Sequence, residues 1–444
     1  MLIHIVQPGD TILSIASSYG VAVNDLVRDN GITNPYDLVI GQTIVIVYPS
    51  EIYTVKEGDT LESIANQFNI TVIQLLRNNP NLADSNTLNP GESLIINYAD
   101  VKLKSITTNG FAYPFIDRNI LRKTLPYLTY LSVFAYTITF EGGLVDIDDR
   151  EIIRTAKQFS VVPIMIVSTV TVRGEGNFEV SHEILTNEEK KNILIMNILN
   201  VLETKGYFGV NLSLEYILPS DLQEYSDFIV AVTNAIKPLG YFVFVTITPK
   251  SVTSVEGTIY QDIDFRQIGM VTDSTLLFIY EWGYTFAPPG GNITEDVARL
   301  YLNYITTQIP SEKISIGLPV IGYDWQLPFI EGESWARSLT TTSAIELAKE
   351  KDVIIQYDET YRAPYFYYLD NIYGADVLHI VWFKDARSVK VVSDFILEYN
   401  FNGMSTWNIM NYFAQMWLIL NSQYDIITIN YRLSFTENEL ELEL

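Results

Sequence analysis

Eight apolar, strand-like runs follow one another between residues 110 and 407: Gly110–Phe115, Tyr130–Ile138, Val161–Val170, Gly209–Glu215, Tyr241–Thr248, Leu276–Glu281, Ile314–Ile321 and Gly403–Trp407. Amphipathic stretches such as Glu189–Leu202, Asp221–Ile236 and Thr294–Gln308 separate several of them. A strand covered by helices on one face and by other strands on the other reads as nearly continuous apolar sequence. Strand–helix alternation argues a parallel sheet, and eight units argue that it closes into a (β/α)8 barrel, also called a TIM barrel. Between the last two runs lies an extra segment, about Glu331 to Val391. Its stretches YRAPYFYYLD and VLHIVWFKDARSV read as strands of an inserted α+β lobe that would wall one side of a cleft.

The first hundred residues are of another kind. HIVQPGDTILSIASSYGVAVNDLVRDNG aligns with YTVKEGDTLESIANQFNITVIQLLRNNP at a constant offset, so that Gly9-Asp10-Thr11 matches Gly58-Asp59-Thr60. Each copy reads strand, helix, helix, strand. Asp10 and Asp59 are placed to cap the first helix, and Asp59 and Glu62 stand at capping-box spacing. The expected fold class is therefore α/β, a barrel with an inserted lobe preceded by two small βααβ modules.

Both copies resemble the LysM module, over about residues 2–48 and 51–97. The resemblance rests on the Gly-Asp-Thr turn, the Ile-Ala helix, the Asn after the second helix and the Gly before the last strand. It implies binding of N-acetylglucosamine chains of peptidoglycan or chitin. The implied groove lies between the turn and the loop before the last strand. In the first copy that means Gly9, Asp10, Thr11 and Ile12 with Asn34, Pro35 and Leu38; in the second, Gly58, Asp59, Thr60 and Leu61 with Asn81, Leu82 and Leu88.

Residues 101–430 resemble family 18 glycoside hydrolases, especially the LysM-bearing enzymes of bacterial spores. KISIGLPVIGYDWQLP resembles the seventh-strand segment, LLFIYEWGYTFAPPG the sixth, and HIVWFKDARSV with GMSTW the insertion and last strand. The fourth run, YFGVNLSLEYILP, ends in the carboxylate of Glu215. A barrel's chemistry sits at its strand ends, and an acid closing an apolar strand meets the desolvation that raises a general acid's pKa. The family's fourth strand reads D-x-x-D-x-D-x-E; the positions here are Phe208, Asn211, Ser213 and Glu215. In the substrate-assisted mechanism that the resemblance implies, Glu215 protonates the leaving oxygen and the sugar's own acetamide attacks. The residue two before it, on the same face of the strand, holds the acetamide N–H, and here it is Ser213, a hydroxyl in place of a carboxylate. Tyr280 matches the tyrosine that donates to the acetamide carbonyl, and Glu281 stands beside it. Trp407 matches the floor under the cleaved sugar, and Tyr113 and Asp324 are candidates for the cleft wall.

Composition narrows the partners. The 444 residues carry 53 acidic against 28 basic side chains, a net charge of −25, which opposes nucleic acid and anionic membrane surfaces. There is no cysteine, and the three histidines are scattered, so no metal site and no cofactor are expected. His4 reads as part of a strand and His182 as part of a polar turn. The start, MLIHIVQPGD, has no basic leader or cleavable apolar segment, which suggests synthesis in the cytosol and deposition on the spore by another route. The acidic tail of residues 431–444, ending ENELELEL, reads as a strand or a solvated extension. Three functions are left open: a weakened hydrolase of spore peptidoglycan, a catalytically inactive binder of the same glycan, and a coat protein that self-assembles or pairs with other coat components.

Overall fold

A computed structural model of the chain describes residues 1–85, 88–170, 176, 178–215, 217–248, 251–254, 257–260, 263–279, 285–291, 293–372 and 374–429. The eight runs form eight parallel strands in chain order: Lys104–Ala112, Tyr130–Thr137, Val162–Ser168, Gly209–Ser213, Phe242–Ile247, Ser274–Leu277, Ile314–Pro319 and Gly403–Trp407. The eighth pairs with the first, from Gly403 opposite Thr107 to Thr406 opposite Gly110, and closes the barrel. A short strand, Tyr424–Ile426, lies parallel to the start of the first. Side chains alternate across each strand. Met165, Val167, Val210, Leu212, Val243 and Val245 point outward into the helical layer, while Phe111, Ile164, Ile166, Phe244, Leu276 and Phe278 fill the interior.

The helices between the strands start and stop where their ends are satisfied. Glu188–Lys205 begins at Asn187, whose side chain accepts from the Glu189 and Lys190 amides, and ends at Gly206 in the left-handed region. His182 lies in the helix Phe178–Thr186, not in a turn, with Nδ1 2.8 Å from Asp221.

Each N-terminal module is a two-stranded antiparallel sheet with two main helices, Leu2–Ile5 pairing with Thr43–Ile46 and Pro49–Thr54 with Ser93–Tyr98, and the second module adds a short helix, Leu82–Ser85. The caps differ from expectation. Thr11 and Thr60, not the aspartates, cap the first helices, in reciprocal capping boxes with Ser14 and Ser63 rather than with Glu62. Asp10 and Asp59 instead accept from the amides of Gln7 and Lys56 and lock the turn before the helix. At the end of the second helix of each module an asparagine is buried and bridges helix to sheet: Asn30 as the last helical residue, Asn79 as the cap. Asn30 donates to the Leu26 and Val45 carbonyls and accepts from the Val45 amide, and Asn79 does the same with Leu75 and Ile95.

Both modules pack on one helix of the barrel, Ala414–Gln423, in which every residue from Ala414 to Ser422 is buried. Gln415 donates to the Asn30 side chain and the Thr43 carbonyl of the first module, and Asn421 donates to Asn78 of the second. Arg77, buried in the second module, donates to the carbonyls of Pro126 and Ile426 and to Thr428.

After the seventh barrel strand comes a five-stranded antiparallel sheet in the order Arg337–Leu339, Gly322–Leu327, Ala375–Trp382, Ala363–Ile372, Gln356–Asp358. It begins at Gly322, upstream of the expected insertion. The helix Thr341–Glu350 covers one face, and Val39 of the first module joins the core between them.

Candidate active site

The fourth strand delivers its polar residues to the barrel interior. Val210 and Leu212 face the helices, so Asn211 and Ser213 face inward, and both are buried. Asn211 Oδ1 accepts from the Thr246 hydroxyl on the fifth strand at 2.9 Å. Its Nδ2 is buried with no hydrogen-bond partner among the described residues. The strand ends at Ser213, two residues before the expected end at Glu215.

Glu215 is half-buried, and its main chain is fixed from two sides. Its amide donates to Thr169 Oγ1 at 3.0 Å, and its carbonyl accepts from the Thr169 hydroxyl at 2.7 Å and from the Ser181 hydroxyl at 3.0 Å. Thr169 follows the third strand and Ser181 lies on the helix Phe178–Thr186. Two hydroxyls thus hold the backbone that carries the carboxyl. Behind it, burial raises the Tyr225 phenol above its ordinary range, and the Glu215 charge adds to that shift. Thr169, Ser181 and Tyr225 were not singled out from the sequence, where threonines and serines of this kind carry no distinguishing spacing.

At the same end of the barrel the eighth strand closes on Trp407. Its indole meets Phe134 at 5.1 Å, Phe111 at 5.4 Å and Tyr113 at 6.2 Å between centroids, all edge-on. Tyr113 in turn stacks on the exposed Phe115 at 5.1 Å. Edge-on packing of this kind fixes the ring. Tyr113 and Trp407 are therefore brought together. Phe134 and Phe111 complete the cluster; they read in the sequence as ordinary strand phenylalanines. Phe208, at the family's first aspartate position, packs against the interior cluster with Lys157 Nζ 5.5 Å from its ring.

Asp324 lies in the second strand of the inserted sheet and is almost fully buried. Its carboxylate accepts from Arg337 at 2.9 Å and from the Tyr368 hydroxyl at 2.8 Å, and lies 2.9 Å from His379 Nδ1. These bonds tie four strands of the lobe together, and they are why a residue expected on the cleft wall is occupied within the lobe. Tyr280 and Glu281 lie outside the described residues, as does the tail from 430 onward.

In the modules, Gly9 and Gly58 both adopt φ of +87° with open space beside the missing Cβ. Ile12 and Leu82 are buried, Leu38, Leu61 and Leu88 are half-buried against their module cores, and Asn34 and Asn81 are exposed. Pro35 is half-buried beside the fully solvated Tyr36. Among the described residues no helix is long and apolar enough to cross a membrane.

A closed parallel barrel with an α+β lobe after its seventh strand and two βααβ modules in front defines a (β/α)8 protein with N-terminal glycan-module folds. The profile of glycosyl hydrolases family 18 matches residues 129–411, and the LysM domain profile matches residues 4–47 and 53–97. The chain belongs to glycosyl hydrolases family 18 and carries two LysM domains. It is 33% identical over 438 residues to the cortical fragment-lytic enzyme of Bacillus subtilis (strain 168), covering 97% of this chain and 100% of that one. Identity to the cortical fragment-lytic enzyme of Bacillus anthracis is 32%, over 95% of this chain and 98% of the relative. Among solved structures it is similar to the Bacillus cereus spore cortex-lytic enzyme SleL, with a TM-score of 0.78, 30% identity, and coverage of 96% and 98% of the two chains.

Proposed function

We propose that this protein binds N-acetylglucosamine-containing glycan of spore cortex peptidoglycan and hydrolyses it slowly by the substrate-assisted, retaining route. The names of its relatives supply the substrate class, and the likeness extends over nearly the full length of both chains. The observation that carries the catalytic part is the anchoring of Glu215: its main chain is held by Thr169 and Ser181 beyond the fourth strand, while Asn211 and Ser213 face the barrel interior. In this reading Glu215 gives its proton to the leaving oxygen and takes one back from water in the second step. The acetamide oxygen of the cleaved sugar is the nucleophile. Ser213 accepts the acetamide N–H, Tyr280 donates to the acetamide oxygen, Asn211 and Glu281 line the pocket, and Trp407 with Tyr113 receives the apolar sugar face. Asp324 shapes the lobe. The LysM domains hold the strand through Gly9–Ile12 with Asn34, Pro35 and Leu38, and through Gly58–Leu61 with Asn81, Leu82 and Leu88, and the protein acts at the spore.

A second reading, a binder without turnover, is favoured by Ser213. A neutral hydrogen bond contributes about 1 kcal/mol where a charge-assisted one contributes about 1.5–3, so a hydroxyl stabilises the cationic oxazolinium far less than a carboxylate. Incubation of the wild-type protein with cortex fragments, followed by chromatographic separation of the muropeptides, decides between the two. New fragments ending in reducing N-acetylglucosamine are expected. Retention of the fragments by the protein without any new reducing end would leave the binder.

A further inference from the structure

A cavity of about 530 Å³ lies where the first LysM domain, the inserted lobe and the barrel meet, within the range of roughly 300–1,000 Å³ typical of small-ligand sites. One wall is the loop before the last strand of the LysM domain, with Asn34 and Asp37. The opposite wall is the first turn of the helix Thr341–Glu350, with Thr342 and Ser343, and the floor is the segment after the eighth barrel strand, with Asn411 and Gln415. The cavity borders the catalytic mouth. Val320, which lines it, donates its amide to the Trp407 carbonyl, and Met410, next to Asn411, accepts from the Tyr113 amide.

Its chemistry is selective. In a chain of net charge −25, the charged residues of the lining balance: Lys123 and Lys349 against Asp37 and Glu346. Asp37 and Lys349 pair across the rim at 3.0 Å, and Thr33 donates to Glu346 at 3.5 Å. The side chains of Asn30, Gln42, Thr341 and Gln415 are bonded within the protein; the Thr342 hydroxyl and the Asn34 and Asn411 amides add groups that both donate and accept, beside the apolar Ile345 and Phe413. Such a lining suits a neutral ligand with hydroxyls, an amide and an apolar face, and disfavours an anionic one. The two LysM domains are unequal in this respect. In the first, Val39 of the same loop is built into the core of the inserted lobe, and Ile355 and Arg387 bond to the carbonyls of Ile40 and Gly41.

We infer that this cavity is a saccharide site, holding a short stretch of N-acetylated glycan between the first LysM domain and the barrel mouth, so that one strand runs from module to catalytic cleft. The inference rests on the glycan reading above. Hydrogen–deuterium exchange of the full chain, with and without the N-acetylglucosamine tetramer, tests it. Slowed exchange is expected in residues 33–38 and 411–413. In Thr342→Trp, whose exposed side chain fills the cavity from the helix's first turn, that protection should require about tenfold more tetramer, while protection at residues 58–61 is unchanged. Protection confined to the second LysM domain or the barrel mouth, or protection at 33–38 that Thr342→Trp leaves intact, overturns the cavity site and leaves the proposed function standing. No protection anywhere at millimolar tetramer defeats both.

Discussion

Replacing Ser213 by aspartate tests how the site departs from its family. Ser213 is buried on the inward face of the fourth strand, two residues from Asn211. An introduced carboxylate there loses water and lies near Glu215, which costs several kcal/mol of stability for a buried charge. Part of that is offset by the Nδ2 of Asn211, buried and without a partner among the described residues, because a hydrogen bond to a charged group contributes about 1.5–3 kcal/mol. Net destabilisation should therefore be about 1–2 kcal/mol in a urea melt. The same charge stabilises a positively charged oxazolinium in a site shielded from water, where one preorganised electrostatic group is worth roughly 10²–10³ in rate. The assay is initial release of reducing ends from cortex fragments by the wild type and Ser213→Asp side by side. A rise of about a hundredfold in kcat with little change in KM is expected. A folded variant with no gain would refute the assignment of this position to the acetamide.

The remaining predictions concern positioning and stability. Thr169→Val removes both bonds that the threonine makes to the Glu215 main chain; kcat should fall about tenfold with KM nearly constant, as expected for misplacement of a catalytic group, and steady-state kinetics reads the split. Asn79→Ala leaves the carbonyl and the amide of Ile95 without their side-chain partner in the interior, while the Leu75 carbonyl keeps the main-chain amide of residue 79; a loss of about 2–4 kcal/mol is expected in denaturant unfolding, since each buried unpaired group costs about 1–3. Burial pushes the Asp29 carboxyl up to about 6 from 3.8, against the pull of the neighbouring Arg28. Because the folded protein holds this proton more tightly than the unfolded chain, the associated stability is present below about pH 4 and is lost as pH rises through about 6. Asp29→Asn should therefore gain on the wild type between pH 4 and pH 7, by up to about 3 kcal/mol, at about 1.4 kcal/mol per pH unit; melts at the two pH values measure the difference.

The barrel was legible because its strands are buried on both faces and its helices on one, which writes two distinct periods into the chain. Trp407 could be read because it closes such a strand, and Glu215 because it follows one by two residues. What could not be read depended on long-range partners. The helix Ala414–Gln423 is buried all round between barrel and modules, so it shows no stripe to announce the docking, and Gln415 and Asn421 look like ordinary polar residues. Asp324 reads as a cleft carboxylate until Arg337, Tyr368 and His379 are seen around it. The cap assignment failed for a local reason: Asp and Thr both cap helices, and in Gly-Asp-Thr only the backbone geometry decides that Thr11 and Thr60 do so.

Turnover of cortex fragments by Glu215→Gln, beside the wild type, reaches the central claim most directly. Glutamine keeps the size and one acceptor but has no acidic proton to give. The account predicts measurable release of reducing N-acetylglucosamine ends by the wild type and at least a hundredfold less by the variant, from loss of general acid catalysis worth about 10²–10⁴, with fragment binding unchanged. Equal turnover by the two proteins would contradict it.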